Sequence, residues 1–278
     1  MSKKKNKSKS QSDNSPPMKI AVSKSLFSLP DIRKQKIFLV TVCLIFYANT
    51  FFSHYALDDG IVIKENTFVH KGLGGVWDIL THDAFFSFYD KLGSKGELSG
   101  GRYRPLSIVT FAMEYQLFGP EVGSKITWEN IPNKYGTGKI KEIKGDDLLI
   151  KYEGKTDPVR ESLMNVLETC ALPGAQHVVN VLLYALSIFL LLQFLSKYLF
   201  KNLENGNDLA FITTLIFAIH PIHTEVVANV KSRDEIMSFL FIVLTLQSVF
   251  EYYDTKKTRH IISGMFWYFL ALLSKEWG

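Results

Sequence analysis

Four groups of residues have types and spacings suited to chemistry. The first is Asp58-Asp59, adjacent carboxylates set between Leu57 and Gly60. Crowding of two acids raises one pKa and equips that carboxylate to accept a proton or bind a metal. The competing reading is a polar loop that ends a helix. The second is His220-Pro221-Ile222-His223-Thr224-Glu225, two imidazoles and a carboxylate at the end of an apolar stretch. Ionisable groups at membrane depth tend to face a cavity and carry function. Their spacing is not that of a metalloprotease, and zinc is the minor reading against a polar helix end. The third is Lys231-Ser232-Arg233-Asp234-Glu235, which opens another apolar stretch. Cations at a helix start oppose the macrodipole, and arginine suits bidentate contact with phosphate; snorkelling anchors are the alternative. The fourth is Arg102-Tyr103-Arg104-Pro105, two arginines able to hold a phosphate or pyrophosphate at a bilayer surface.

The elements that must position these groups follow from the distribution of apolar residues. They collect in blocks near 37–52, 178–200, 209–219, 236–250 and 261–273. A crossing helix needs about 20 mostly apolar residues, whereas a water-soluble protein spreads them at helix or strand period. The expected fold is an all-α polytopic membrane protein with about five transmembrane helices, at 36–52, 176–199, 209–219, 235–253 and 261–273.

The first 36 residues hold ten Lys/Arg and two Asp, a surplus larger than the whole chain's +5. The pI therefore argues for no nucleic-acid partner. Residues 1–35 read as a disordered basic cytoplasmic tail. The n-region is too long for a cleaved signal peptide and no small-x-small pattern follows Phe52, so a retained signal anchor is expected. With the N-terminus cytoplasmic, 53–175 and 220–234 lie outside and 254–260 inside. That inner loop carries Lys256, Lys257 and Arg259, as the positive-inside rule requires. In the outer loop 220–234, Lys231 and Arg233 run against the rule and are offset by Glu225, Asp234 and Glu235. All four groups then share the non-cytoplasmic face.

Between the first two spans, 66–90 reads as an amphipathic interfacial helix or a plain packed surface helix, with Val76, Ile79, Leu80 and Ala84 on one face and Trp77 suited to the headgroups. The apolar run 106–118 is short for a span, contains Glu114, and reads as re-entrant or interfacial. Residues 121–160 alternate, with strands at 139–143 and 148–152, and read as a small β-hairpin insert and a solvated spacer. Cys43 lies in the first span and Cys170 in a loop, too far apart in depth to pair.

The runs LDDGIVI, GRYRPLSIVTFAMEYQLFG, HVVNVLLYAL, IHPIHTEVVANVKSRDE and LLSKE follow one another. In that order they resemble the transmembrane O-mannosyltransferases that carry tetratricopeptide repeats, and their bacterial relatives, polytopic glycosyltransferases of the GT-C class. The resemblance covers most of 40–278 and implies a GT-C-like transmembrane region over 36–278. It further implies a polyprenyl or dolichyl phosphate sugar donor, with mannose as one candidate sugar. The acceptor would be a protein or glycan hydroxyl on the extracytoplasmic face of a bacterial inner membrane or the endoplasmic reticulum. Asp58 or Asp59 would be the general base of an inverting displacement. Arg102, Arg104, His223, Glu225, Lys231 and Arg233 would lie at the donor phosphate. No cofactor or metal is required, though a divalent cation is compatible with the acids.

The insert at 121–160 departs from the family pattern. The chain also stops just after LLSKE, where relatives continue through further spans and repeats; no 34-residue repeat is visible. The expectation is the N-terminal portion of such a protein. A non-catalytic scaffold that keeps the family's shell is the alternative. A transporter is disfavoured, because the later spans carry almost no mid-span charge.

Overall fold

A computed structural model describes residues 31–91, 93, 102–127, 137–145 and 147–276. The basic tail expected over 1–35 therefore lies, up to residue 30, outside the described residues. Helix α1 (Ile32–Phe46) is capped by the Asp31 carboxylate and continues as a 3-10 turn, Ala48–Phe52. Together they form an apolar segment of 21 residues, Ile32–Phe52, about 30 Å long. Helix α7 (Leu172–Phe194) runs on through a π-turn to Leu199, and α10 (Arg233–Thr255) is preceded by a 3-10 turn from Val230. Among the described residues these are the three helices long and apolar enough to cross a membrane, and the chain is an integral membrane protein.

The two other expected spans are shorter. Helix α8 (Gly206–Ile219) has 14 residues and α11 (Thr258–Ser274) has 17. The first ends because His220 precedes Pro221 and is driven into extended backbone.

Leu39 and Cys43 of α1 and Tyr47 just after it, spaced four apart, share one core with Val181, Ala185 and Ile188 of α7 and Ala210 and Phe211 of α8. Ile236 and Val243 of α10 close the same core. Only that stripe of α1 is covered, while Ile37, Phe38, Ile45 and Phe46 face outward. In water such a surface would drive association; in a bilayer it meets lipid. Both cysteines are free thiols.

The interfacial helix expected over 66–90 is instead broken into α2 (Thr67–His70), a 3-10 turn (Gly72–Gly75), α3 (Val76–Thr81) and α4 (Phe86–Lys91). The break has a local cause. Gly72 adopts φ +56°, outside helical backbone, and Gly75 lies so close to the Phe68 carbonyl that a Cβ there would collide, so this turn is built for glycine. Ile79 and Ala84 still turn inward, and Trp77 is 74% exposed. Helix α5 (Pro105–Phe118), with proline in its first turn, coincides with the expected short run.

The insert is not a lone hairpin. Strands β1 (Lys125–Thr127), β2 (Thr137–Lys144), β3 (Asp147–Tyr152) and β4 (Val159–Ser162) form an antiparallel meander in that order. Two strands alone cannot bury an apolar face. Nor is the sheet a solvated spacer: Ile126, Ile140, Leu148, Ile150 and Tyr152 pack on Leu163, Val166 and Leu167 of α6 (Leu163–Thr169) and on Leu172. Tyr55 and Tyr115 seal the rim of this core.

Gly138 tests that packing. A Cβ there would stand 2.7 Å from Ile150 Cγ2 and 2.9 Å from Tyr152 Cδ1. Gly138→Val is expected to destabilise the insert by about 1–3 kcal/mol, read as faster limited proteolysis within 121–162. Wild-type cleavage rates in the variant would refute the packing.

Candidate functional site

The loop after α1 separates the two adjacent acids. Leu57 takes a left-handed conformation, φ +47°, which costs energy in a residue bearing a Cβ. The turn is held by Asp59: Oδ2 accepts the Ala56 N–H at 3.0 Å, and Oδ1 accepts the Lys231 N–H at 2.7 Å. Asp59 is fully buried. Burial pushes its carboxyl above the usual range, and the N–H donors oppose that. Asp58 meets Lys231 through its side chain instead. Its side chain is half-exposed, with Oδ2 3.5 Å from the Lys231 ammonium. One acid is thus tied to backbone and its neighbour is presented to solvent beside a cation.

Two residues further on, Arg233 is completely buried. Its guanidinium donates to Asn180 Oδ1 (2.7 Å), Thr110 Oγ1 (2.9 Å), Glu114 Oε1 (2.6 Å) and the Gln176 carbonyl (3.0 Å). It also lies over the Phe111 ring at 4.5 Å. Four of its five N–H donors are taken by α5 and α7 and none of the side chain is exposed, so Arg233 is not presented to a ligand. Glu114 was legible in the sequence only as the one acid in a short apolar run. Thr110, Gln176 and Asn180 carried no signal, because neutral polar residues are ordinary on helices.

Arg104, at the mouth of α5, is held by two acids. Asp234 Oδ2 receives Nη1, and the Glu276 carboxylate receives Nε and Nη2, each at 2.9 Å. Glu276 stands below the usual carboxylate range because of these bonds. Beside this, Lys275 pairs with Glu235. The segments around GRYRP, SRDE and LLSKE, distant in sequence, therefore meet in one cluster. Arg102 is not part of its ion pairs: its N–H bonds Asp83 and its guanidinium lies 4.5 Å over the Phe85 ring.

The histidine patch is placed differently. His223 begins α9 (His223–Ala228) and packs on the rings of Phe217 at 4.3 Å and Tyr184 at 5.9 Å. Burial, then the nearby His220, lowers its pKa and so favours the neutral imidazole. His220 Nδ1 accepts the Ile222 N–H, and Glu225 is exposed. Of the predicted residues, the structure brings Asp58, Asp59, Lys231, Arg233 and Arg104 onto one continuous set of elements. The partners of His223 are aromatic rings, and Arg102 stands apart. Among the described residues no three His, Cys, Asp or Glu side chains gather as a metal site.

Known proteins bear on this arrangement. The chain is similar to protein O-mannosyl-transferase TMTC1 of Homo sapiens, 34% identical over 103 residues, covering 37% of this chain and 11% of that protein. It is similar to protein O-mannosyl-transferase TMTC4 of Homo sapiens, 25% identical over 252 residues, covering 87% of this chain and 27% of the relative. TMTC4 of Mus musculus is 27% identical over 258 residues, with 85% and 27% covered. The chain spans from about a tenth to about a quarter of the length of these curated relatives. No family model matches the chain, and no solved structure does. The resemblance read from the motifs is borne out by these relatives.

The buried pair is testable. Removing either partner leaves an uncompensated charge in the interior, a cost of about 3–5 kcal/mol. Glu114→Ala and Arg233→Ala are each expected to lose most of their thermal stability in detergent. The double variant Glu114→Leu/Arg233→Met should recover much of it. Additive losses in the double variant would show that the pair is not the interaction described.

Proposed function

We propose that this chain is the catalytic-side membrane portion of a glycosyltransferase. It would move a sugar, mannose by analogy with the relatives' names, from a polyprenyl or dolichyl phosphate donor to a protein hydroxyl. The observation that carries the reading is the Asp58–Lys231 pair: a half-exposed carboxylate 3.5 Å from an ammonium, beside a membrane-spanning helix. Asp58 takes the proton of the acceptor hydroxyl as its oxygen attacks the anomeric carbon. The bond from that carbon to the lipid phosphate breaks, and the electron pair leaves with the phosphate. Lys231 stands where it can neutralise the leaving phosphate. Asp59 suits a base less well, because both its oxygens already accept backbone N–H groups.

In this reading α8 and α11 also cross, giving five spans with a cytoplasmic N-terminus. The site then lies on the extracytoplasmic face of a bacterial inner membrane or the endoplasmic reticulum. Residues 36–278 form one transmembrane unit, with the sheet inserted in its first outer loop. Arg104 would reach a phosphate only after exchanging Glu276 for it. No cofactor is needed by this route.

The test is sugar transfer in membranes from a radiolabelled polyprenyl-phosphate sugar, using the full-length protein. Asp58→Asn is expected to lower transfer by about 10²–10⁴-fold at normal membrane levels. Lys231→Met should also slow transfer. Unchanged transfer in Asp58→Asn would sink the base assignment. No transfer by wild type across several donor sugars would favour a non-catalytic scaffold.

A further inference from the structure

The outward face of the β-meander carries like charges in register. Lys125 of β1 lies directly opposite Lys139 of β2, and Lys139 lies directly opposite Lys151 of β3. All three side chains are exposed. Residues so paired on antiparallel strands have Cβ atoms about 5 Å apart, and like charges there repel. Elsewhere on the same sheet two cations are matched, Lys144 with Glu142 at 2.8 Å and Arg160 with Asp147 at 3.6 Å. Among the described residues the three ladder lysines make no ion pair, and neither does the exposed Glu153 that follows β3. Repulsion of this kind works against the sheet unless an anion from outside offsets it.

Two features indicate what that anion is attached to. The opposite face of the sheet packs on α6 and on Leu172, the first residue of a spanning helix. The ladder therefore faces away from Leu172, where the span begins. The sheet is also joined to the candidate site through Tyr55, which bonds Gln176 at 2.6 Å, and through Tyr115, the neighbour of Glu114. Three cations across three strands cover about 10 Å, the reach of a short run of Asp or Glu in a polypeptide.

We propose that the Lys125–Lys139–Lys151 ladder is a docking surface for an acidic polypeptide segment. If sugar transfer occurs as proposed above, that segment flanks the acceptor hydroxyl. Only this last identification rests on that reading.

The experiment measures binding, so it is independent of transfer. Full-length protein in nanodiscs of neutral lipid is titrated with a fluorescent peptide of alternating Glu and Ser, and with its Gln-for-Glu counterpart. The expected result is about a tenfold preference for the Glu peptide at low ionic strength, shrinking as salt is added. The triple variant Lys125→Gln/Lys139→Gln/Lys151→Gln should lose the preference, while Lys144→Gln keeps it. Relief of repulsion should leave the triple variant's melting temperature equal to or above wild type, which separates loss of docking from loss of fold. Equal binding of both peptides, or an unchanged preference in the triple variant, would overturn the proposal. So would loss of binding confined to added phosphatidylglycerol vesicles, which would assign the ladder to a membrane instead.

Discussion

The arrangement of this protein depends on one buried cation. Withdrawing a guanidinium from water costs several kcal/mol unless its donors are met, and Arg233 has no exposure at all. Its partners come from Thr110 and Glu114 on α5 and from Gln176 and Asn180 on α7. A helix too short to cross is thereby pinned against two that are long enough. In a bilayer this matters more than apolar packing, because lipid tails compete equally well for apolar faces.

The neighbours of Arg233 inherit their positions from that anchor. Ser232 and Lys231 lie in the turn just before it, so the Lys231 N–H is set where the Asp59 carboxylate can accept it. Asp59 in turn holds a strained turn through the Ala56 N–H, and Asp58 is carried with it towards the Lys231 ammonium. On the other flank, Asp234 meets Arg104, and Arg104 meets Glu276. Lys231, Arg233, Asp234 and Glu235 thus distribute their contacts among the loop after α1, α5 and the residue before it, α7 and the segment after α11. The four cations grouped in sequence fall into different classes on this account. Arg233 is structural, Arg104 is saturated by carboxylates, Arg102 lies on an aromatic ring, and Lys231 has a single half-exposed partner.

The β-meander is integrated with this centre on one face and with solvent on the other. Its apolar face shares Tyr55 and Tyr115 with the elements around the site. Its other face is polar, and charge rather than packing is its distinguishing property.

Much of this was legible in the sequence. Spans near 36–52, 176–199 and 235–253 follow from composition alone, because crossing hydrocarbon demands an uninterrupted apolar run. Alternation at 139–143 and 148–152 marked the central strands, since a half-buried sheet has a period of two. The order of the motifs pointed to the O-mannosyltransferase relatives. Other features belong to the tertiary structure. The break of 66–90 turns at Gly72, where φ is +56°, and β1 and β4 are too short to carry a pattern. Asp58 and Asp59 are the same residue type side by side, and sequence cannot rank them. Only folding brings Lys231 across 172 positions to Asp59, burying one carboxylate against backbone N–H groups and leaving the other beside an ammonium. Residue types determined which groups can carry charge; three-dimensional pairing decided which of those charges remain accessible.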